Sequence, residues 1–217
     1  MGIPVLVIGR SGAGKSCSLM NFNEDEVGVF NVASKPLPFR KQLKVINGAN
    51  YATIQKVLQS HKLKTYVIDD SQYLMAFESF AKAKETGYGK FTDMALNFYN
   101  LIQFVIRSTP EDVIVYFLHH AEVTDDGKIK AKTLGKMLDN QLTVEGLFSI
   151  VLLAEVEGSE HFFITNTDGS NTAKSPLDMF ETRIPNDLKF VDDAIRNYYG
   201  FTATTEDKTK TEKENKK

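Results

Sequence analysis

The 217-residue chain has a single cysteine, Cys17, so it cannot form an intramolecular disulfide, and no paired-cysteine spacing offers a metal site. That usage fits a reducing compartment. An excess of either charge is also missing. Twenty-six Lys and Arg stand against 28 Asp and Glu, a net charge of −2, so no global positive field points to a polyanion and any such contact must come from a local patch. Long apolar runs are absent too. The opening Met1-Gly2-Ile3-Pro4-Val5-Leu6-Val7-Ile8 has no basic leader and is too short for a signal peptide or a membrane span. The expectation is a cytoplasmic protein with no membrane partner. No repeat appears at solenoid periods. What remains is globular composition, 42% hydrophobic and 25% charged, in a chain long enough to bury a full core.

Apolar runs of strand length recur at Val5 to Ile8, Val27 to Val32, Leu43 to Ile46, Tyr66 to Ile68, Val113 to Leu118, Ile150 to Val156 and His161 to Thr165. They are continuous rather than alternating, as strands covered on both faces are. Helical periodicity fills the gaps. Tyr51, Ile54, Val57 and Leu58 follow Asn50, a candidate N-cap, and Tyr73, Leu74, Phe77, Phe80 and Ala81 make a stripe after the fourth strand. A longer stripe runs from Phe91 to Val105, and Leu188, Val191, Ile195 and Tyr198 form a last helical face between Pro185-Asn186 and Gly200. Alternating strands and helices predict an α/β fold, a mostly parallel sheet flanked by helices, over residues 1–202. Residues 203–217 carry no large apolar side chain and read as a disordered polar tail.

Directly after the first strand comes Gly9-Arg10-Ser11-Gly12-Ala13-Gly14-Lys15-Ser16, a full phosphate-binding-loop pattern, followed by Cys17 and a short apolar helix through Leu19 and Met20. Phosphate groups need backbone N–H groups aimed into a concavity, and glycines let the backbone bend closely enough to form it. In that reading Lys15 faces solvent and reaches the β- and γ-phosphates, and the Ser16 hydroxyl ligates Mg²⁺. A second apolar strand ends in two carboxylates, Asp69 and Asp70, and resembles a Walker B motif. Set parallel and adjacent to the first strand, it would place Asp69 to hold Mg²⁺. Two roles are open to Asp70: orienting or deprotonating an attacking water, or capping the helix that starts at Ser71.

No guanine-reading Asn-Lys-x-Asp motif is present, and the five arginines are scattered, which argues against a switch GTPase and against a nucleotide kinase with an arginine-rich lid. Residues 3 to 200 resemble the RecA-like P-loop ATPases, most closely the small ATP-binding proteins of bacteriophages associated with single-strand annealing and recombination. The patches that carry the likeness are Gly9 to Ser16, Tyr66 to Ser71, Phe117-Leu118-His119-His120-Ala121-Glu122 and Asn171-Thr172-Ala173-Lys174-Ser175-Pro176. It implies a Mg²⁺-dependent ATPase in phage-type DNA recombination or replication, assembled as a ring or filament in the host cytoplasm. It implies further that His120 or His119 senses the γ-phosphate and that Lys174, in a polar loop, reaches a neighbouring subunit's nucleotide. The second basic residue usual after such a lysine is replaced by Ser175-Pro176. The glutamate such enzymes carry after the second strand is absent, with Asn31 or Ser34 in its place.

Asp126-Gly127 signals a hairpin turn, and Lys128, Lys130 and Lys132 alternate along its second arm toward one face. With Lys136 they make four lysines without an acid from Gly127 to Lys136, the one basic patch, and the three are the candidate contact for single-stranded DNA phosphates. The competing expectation is a nucleotide-dependent binding module, a loader or assembly switch, with weak hydrolysis and no direct DNA contact.

Overall fold

The computed structural model describes residues 1–87, 89–134 and 142–201. The tail at 203–217 and Lys136 lie outside the described residues. The strands are β1 (Ile3–Gly9), β2 (Val27–Asn31), β3 (Lys44–Asn47), β4 (Thr65–Asp69), β5 (Ile114–Val123), β6 (Ile129–Ala131), β7 (Ile150–Glu157), β8 (Glu160–Ile164) and β9 (Arg183–Pro185). The helices are α1 (Tyr51–Gln59), α2 (Gln72–Ala81), α3 (Gly89–Ser108) and α4 (Leu188–Tyr198).

The sheet runs in the order β3-β2-β4-β5-β1-β7-β8-β9, parallel from β3 through β7 and antiparallel beyond, with β6 folded back on β5. The mostly parallel α/β architecture predicted from the continuous apolar runs is therefore what forms. One expectation is corrected. β4 is not adjacent to β1: the ten-residue β5 lies between them, pairing Ile3 to Gly9 with Ile114 to His120 on one side and Thr65 to Ile68 with Ile114 to Phe117 on the other. β9 carries no apolar run and gave no sequence signal; Ile184, its one buried side chain, pairs with Phe163.

Strand alternation divides the core into two layers. Leu6, Ile8, Ile68, Val115 and Phe117 face α1, α2 and α3 through Ile54, Leu58, Leu74, Met75, Phe98 and Leu101. Val5, Val7, Val67, Tyr116 and Leu118 face α4 through Leu188, Val191 and Ile195, together with Leu19 and Phe22. Asn50 caps α1 as expected, accepting from the Thr53 N–H at 3.0 Å. The cap of α4 is Asp187, whose carboxylate accepts from the N–H groups of Lys189 and Phe190. Gly200, at φ +72°, ends that helix.

At the N-terminal edge of the sheet α4 is held by a buried ion pair. Asp192 is 4% exposed; it accepts from Thr65 Oγ1 (3.0 Å), Tyr116 Oη (3.2 Å) and Arg196 Nε (2.7 Å). Arg196 also donates to the carbonyls of Asp112 and Lys64. Removing one partner strands the other where water reaches it poorly. Asp192→Ala is expected to cost about 3 kcal/mol of unfolding free energy, with the denaturant slope unchanged. Urea titration followed by circular dichroism measures both, and a cost under about 1 kcal/mol would mean that α4 is held by its apolar face alone.

Candidate functional site

Five parallel strands, β1, β2, β4, β5 and β7, come together at the C-terminal edge of the sheet. Register places Gly9 opposite His120 and Ala154, and Asp69 opposite Asn31. The loop after β1 bends through Gly12 (φ +83°) and Gly14 (φ +90°), a backbone region that L side chains rarely adopt. At Gly14 a side chain has no room either, since a Cβ would meet Asn186 Nδ2 at 2.1 Å. The helix expected through Met20 is one 3₁₀ turn, Ser16–Leu19, with Leu19 buried and Met20 exposed.

Lys15 is not solvent-facing, as the sequence suggested. It is 7% exposed, and its ammonium donates to the carbonyl oxygens of Gly9 (2.7 Å) and Arg10 (3.0 Å), folded back into its own loop. Burial lowers its pKa to about 8, against the opposing pull of Asp70 and Asp69. Ser16 Oγ donates to Asp69 Oδ1 at 2.8 Å, so the loop and β4 meet directly despite the intervening strand. Burial pushes the Asp69 carboxyl above its ordinary range, with the Ser16 hydrogen bond pulling the other way.

Asp70 stands at φ +60°, a backbone region that L side chains rarely adopt. Of the two roles left open, the helix-cap geometry is absent: Ser71 occupies the cap position of α2 and no side-chain cap bond forms. The Asp70 carboxylate instead lies between two groups that the topology brings in. Lys35 Nζ is 2.5 Å from Oδ2, and His120 Nε2 is 3.2 Å from Oδ1. The His120 contact is not an aligned hydrogen bond, and among the described residues the buried Nε2 has no hydrogen-bond partner. Burial alone would raise the Asp70 pKa, but His120 and Lys35 outweigh it and hold the carboxyl below its usual range. Tyr73 completes the group, with its ring 5.3 Å from that of His120 and 5.5 Å from Lys35 Nζ.

The two histidines separate cleanly. His120 belongs to this cluster, whereas His119 is fully buried on the other side of β5 against Phe98. His119 Nε2 lies 2.8 Å from the Lys132 carbonyl, which can only accept, so the proton sits on Nε2 and Nδ1 accepts from Ser71 Oγ at 2.9 Å. Burial lowers its pKa to about 4.

Lys35 was not singled out in the sequence. Only tertiary structure reveals it, because nothing in Val29 to Lys35 marks that side chain for Asp70. Asn31 and Ser34 stand where the resemblance expects a glutamate. Asn31 is buried, its amide donating to Lys35 O and Asn47 Oδ1. Asn186 also went unsuspected; its amide donates to the Ala13 carbonyl at 3.4 Å.

The remaining candidates lie apart from this cluster or are changed by it. Arg10, Ser11 and Ala13 line a second hollow of about 330 Å³ with Ala121, Ile129 and Ala154, and Cys17 is exposed. Lys174 is not in a free loop, since its backbone pairs with Val151, at the level of Leu6, three residues below Gly9 along β1. The expected hairpin forms, with Gly127 at φ +83°. Its three lysines are not an acid-free row, however. Lys130 sits opposite Glu122 in register and its Nζ is 3.3 Å from Glu122 Oε1, while Lys128 and Lys132 are exposed on either side.

The 2.8 Å between Ser16 Oγ and Asp69 Oδ1 is an ordinary O–H···O separation. Among the described residues no three His, Cys, Asp or Glu side chains cluster to hold a metal alone, so a cation here needs oxygens from a ligand or solvent. No protein-family model matches the chain, and no curated protein matches it. Among the described residues no helix is long and apolar enough to cross a membrane.

The buried neutral His119 gives a pH dependence of stability. The unfolded chain takes up a proton near pH 6.5, the folded one only near pH 4, so the unfolded state binds more protons between those values. Stability is expected to fall by about 3 kcal/mol from this group as pH drops from 6.5 to 4. Urea unfolding across that window for the parent and His119→Asn tests it; equal slopes in the two proteins would remove His119 as the cause.

Proposed function

We propose that the protein is a RecA-like P-loop ATPase that binds ATP with Mg²⁺ at the C-terminal edge of its sheet. The observation that supports this most is the Ser16–Asp69 hydrogen bond, which joins a complete phosphate-loop sequence to a strand-end carboxylate from a distant part of the chain. Ser16 and Asp69 would hold the Mg²⁺, which when bound supplies charge neutralisation to the phosphates. The backbone of Gly9 to Cys17 cradles the phosphate chain, and Lys15 exchanges the Gly9 and Arg10 carbonyls for phosphate oxygens. Asp70, held ionised by Lys35 and His120, orients the attacking water, and His120 and Lys35 sit where they can answer to the terminal phosphate. The proposed setting is phage-type DNA recombination or replication, in the host cytoplasm, as a ring or filament on single-stranded DNA with Lys174 acting on a neighbour's nucleotide. The Lys130–Glu122 pair favours the second reading, a nucleotide-dependent loader or assembly switch, because it removes one of three expected DNA-facing charges.

Titration calorimetry with a non-hydrolysable ATP analogue is the direct test. Lys15→Ala is expected to abolish binding with the fold retained, since that ammonium is buried at a cost already visible in its lowered pKa. Asp69→Asn should weaken Mg²⁺-dependent binding, whereas Asp70→Asn should spare binding and slow turnover about 100-fold or more. Phosphate raises the Lys15 pKa, so the complex holds more protons than the free protein, and parent affinity should decline as pH rises past about 8. Unchanged binding in Lys15→Ala would refute the phosphate-loop reading.

ATP turnover with and without single-stranded DNA separates the two settings. If the hairpin contacts phosphates, DNA affinity falls with log salt, and Lys128→Gln with Lys132→Gln should flatten the slope by about 1.4, at roughly 0.7 per phosphate. A parent that binds no DNA at any salt concentration favours the loader.

A further inference from the structure

β2 ends in Asn31, and the amide of that residue closes the turn that follows. Asn31 Nδ2 donates to the Lys35 carbonyl at 2.6 Å and to Asn47 Oδ1 at 2.8 Å, while the Asn31 carbonyl accepts from the N–H groups of Gly48 at 2.9 Å and Ser34 at 3.4 Å. One buried residue therefore closes the turn from 31 to 35 and ties it to the end of β3. Ser34 within it stands at φ +55°, a conformation that L residues hold only when their surroundings impose it. A carboxylate at position 31 could accept but not donate, so it would lose both side-chain bonds.

What this turn delivers is the placement of Lys35. Its ammonium lies 2.5 Å from Asp70 Oδ2, yet its side chain is 60% exposed. The other group on Asp70 differs, because His120 Nε2 is buried. Lys35 is thus the accessible one of the two. An ammonium carries three N–H donors, and among the described residues Asp70 is its one ion-pair partner, so donors remain for a ligand. Asp70 directly follows Asp69, whose carboxylate meets Ser16 of the phosphate loop.

We propose that Lys35, fixed in place by Asn31, is the residue that tells a nucleoside triphosphate from a diphosphate, its ammonium donating to the terminal phosphate while it stays on Asp70. The inference rests on the phosphate-loop reading, in which a Mg²⁺ on Ser16 and Asp69 bridges the β- and γ-phosphates. A cation gathered on the next residue then meets the phosphate that a diphosphate lacks. Asn31 touches no phosphate and is a positioning residue that acts through Lys35. An ATPase and an assembly switch both need this distinction, so Lys35 serves either setting.

Titration calorimetry of the full chain with Mg²⁺ tests the proposal, comparing ADP with a non-hydrolysable ATP analogue in the parent, Lys15→Ala, Lys35→Ala, Asn31→Asp and the double variant of Asn31→Asp with Lys35→Ala. The parent is expected to bind the analogue more tightly than ADP. Lys35→Ala should bind the analogue about tenfold or more weaker and ADP as the parent does. Asn31→Asp should lose part of the same preference, and the double variant no more than Lys35→Ala alone, because a positioning residue has no effect once the residue it positions is gone. A merely structural role for Asn31 would weaken both nucleotides alike. Lys35→Ala changes an exposed side chain, so it tests the assignment even where Asn31→Asp fails to fold. The parent's preference kept in Lys35→Ala overturns the proposal, as does a parent that binds the two nucleotides equally, and losses that multiply in the double variant overturn the role of Asn31. With analogue binding abolished in Lys15→Ala, such a result leaves the phosphate-loop reading standing; analogue binding by Lys15→Ala equal to the parent's removes that reading and this inference together.

Discussion

Pairing of β5 with both β1 and β4 is the constraint from which the candidate site follows. β5 is long enough to run past the end of β4, so its last residues rise level with Gly9 and bring His120 over the carboxylates. Because β1, β4 and β5 are parallel, all three ends face one way, and the loop after β1 and the acids after β4 converge without any local sequence contact between them. The side chains that make this possible are apolar: Val5 to Ile8, Tyr66 to Ile68 and Val113 to Leu118 are all buried on both faces of the sheet.

The charges at that edge are arranged as mutual substitutes. Lys15 is turned onto two carbonyls of its own loop, and Lys35 and His120 are gathered on Asp70. The two lysines differ in cost: burial disfavours the Lys15 ammonium, whereas Asp70 favours the charge on Lys35.

At the opposite edge the polar network has another character. Asp192, Thr65, Tyr116 and Arg196 hydrogen-bond one another and fasten α4, although Thr65, Asp192 and Arg196 also line a hollow of about 370 Å³.

Much of this was legible in the residues. Continuous apolar runs determined the strands, three- and four-residue spacing determined the helices, and together they specified a mostly parallel α/β sheet, because burial on both faces leaves no other pattern. The spacing of Gly9 to Ser16, the Asp69-Asp70 pair and the Asp126-Gly127 turn were likewise visible, since each is a local backbone or strand-end signal. Strand order was not. Periodicity reports which face of a segment is buried but not which segment lies beside it, so the insertion of β5 between β1 and β4 could not be read. The inward fold of Lys15, the choice of His120 over His119, the Lys35–Asp70 pair, the Lys130–Glu122 pair and the anchoring of Lys174 at Val151 all depend on contacts between residues far apart in the chain or across a register. Only the tertiary structure decides those, because side-chain partners are set by which strand ends meet, and that is a property of the assembled sheet.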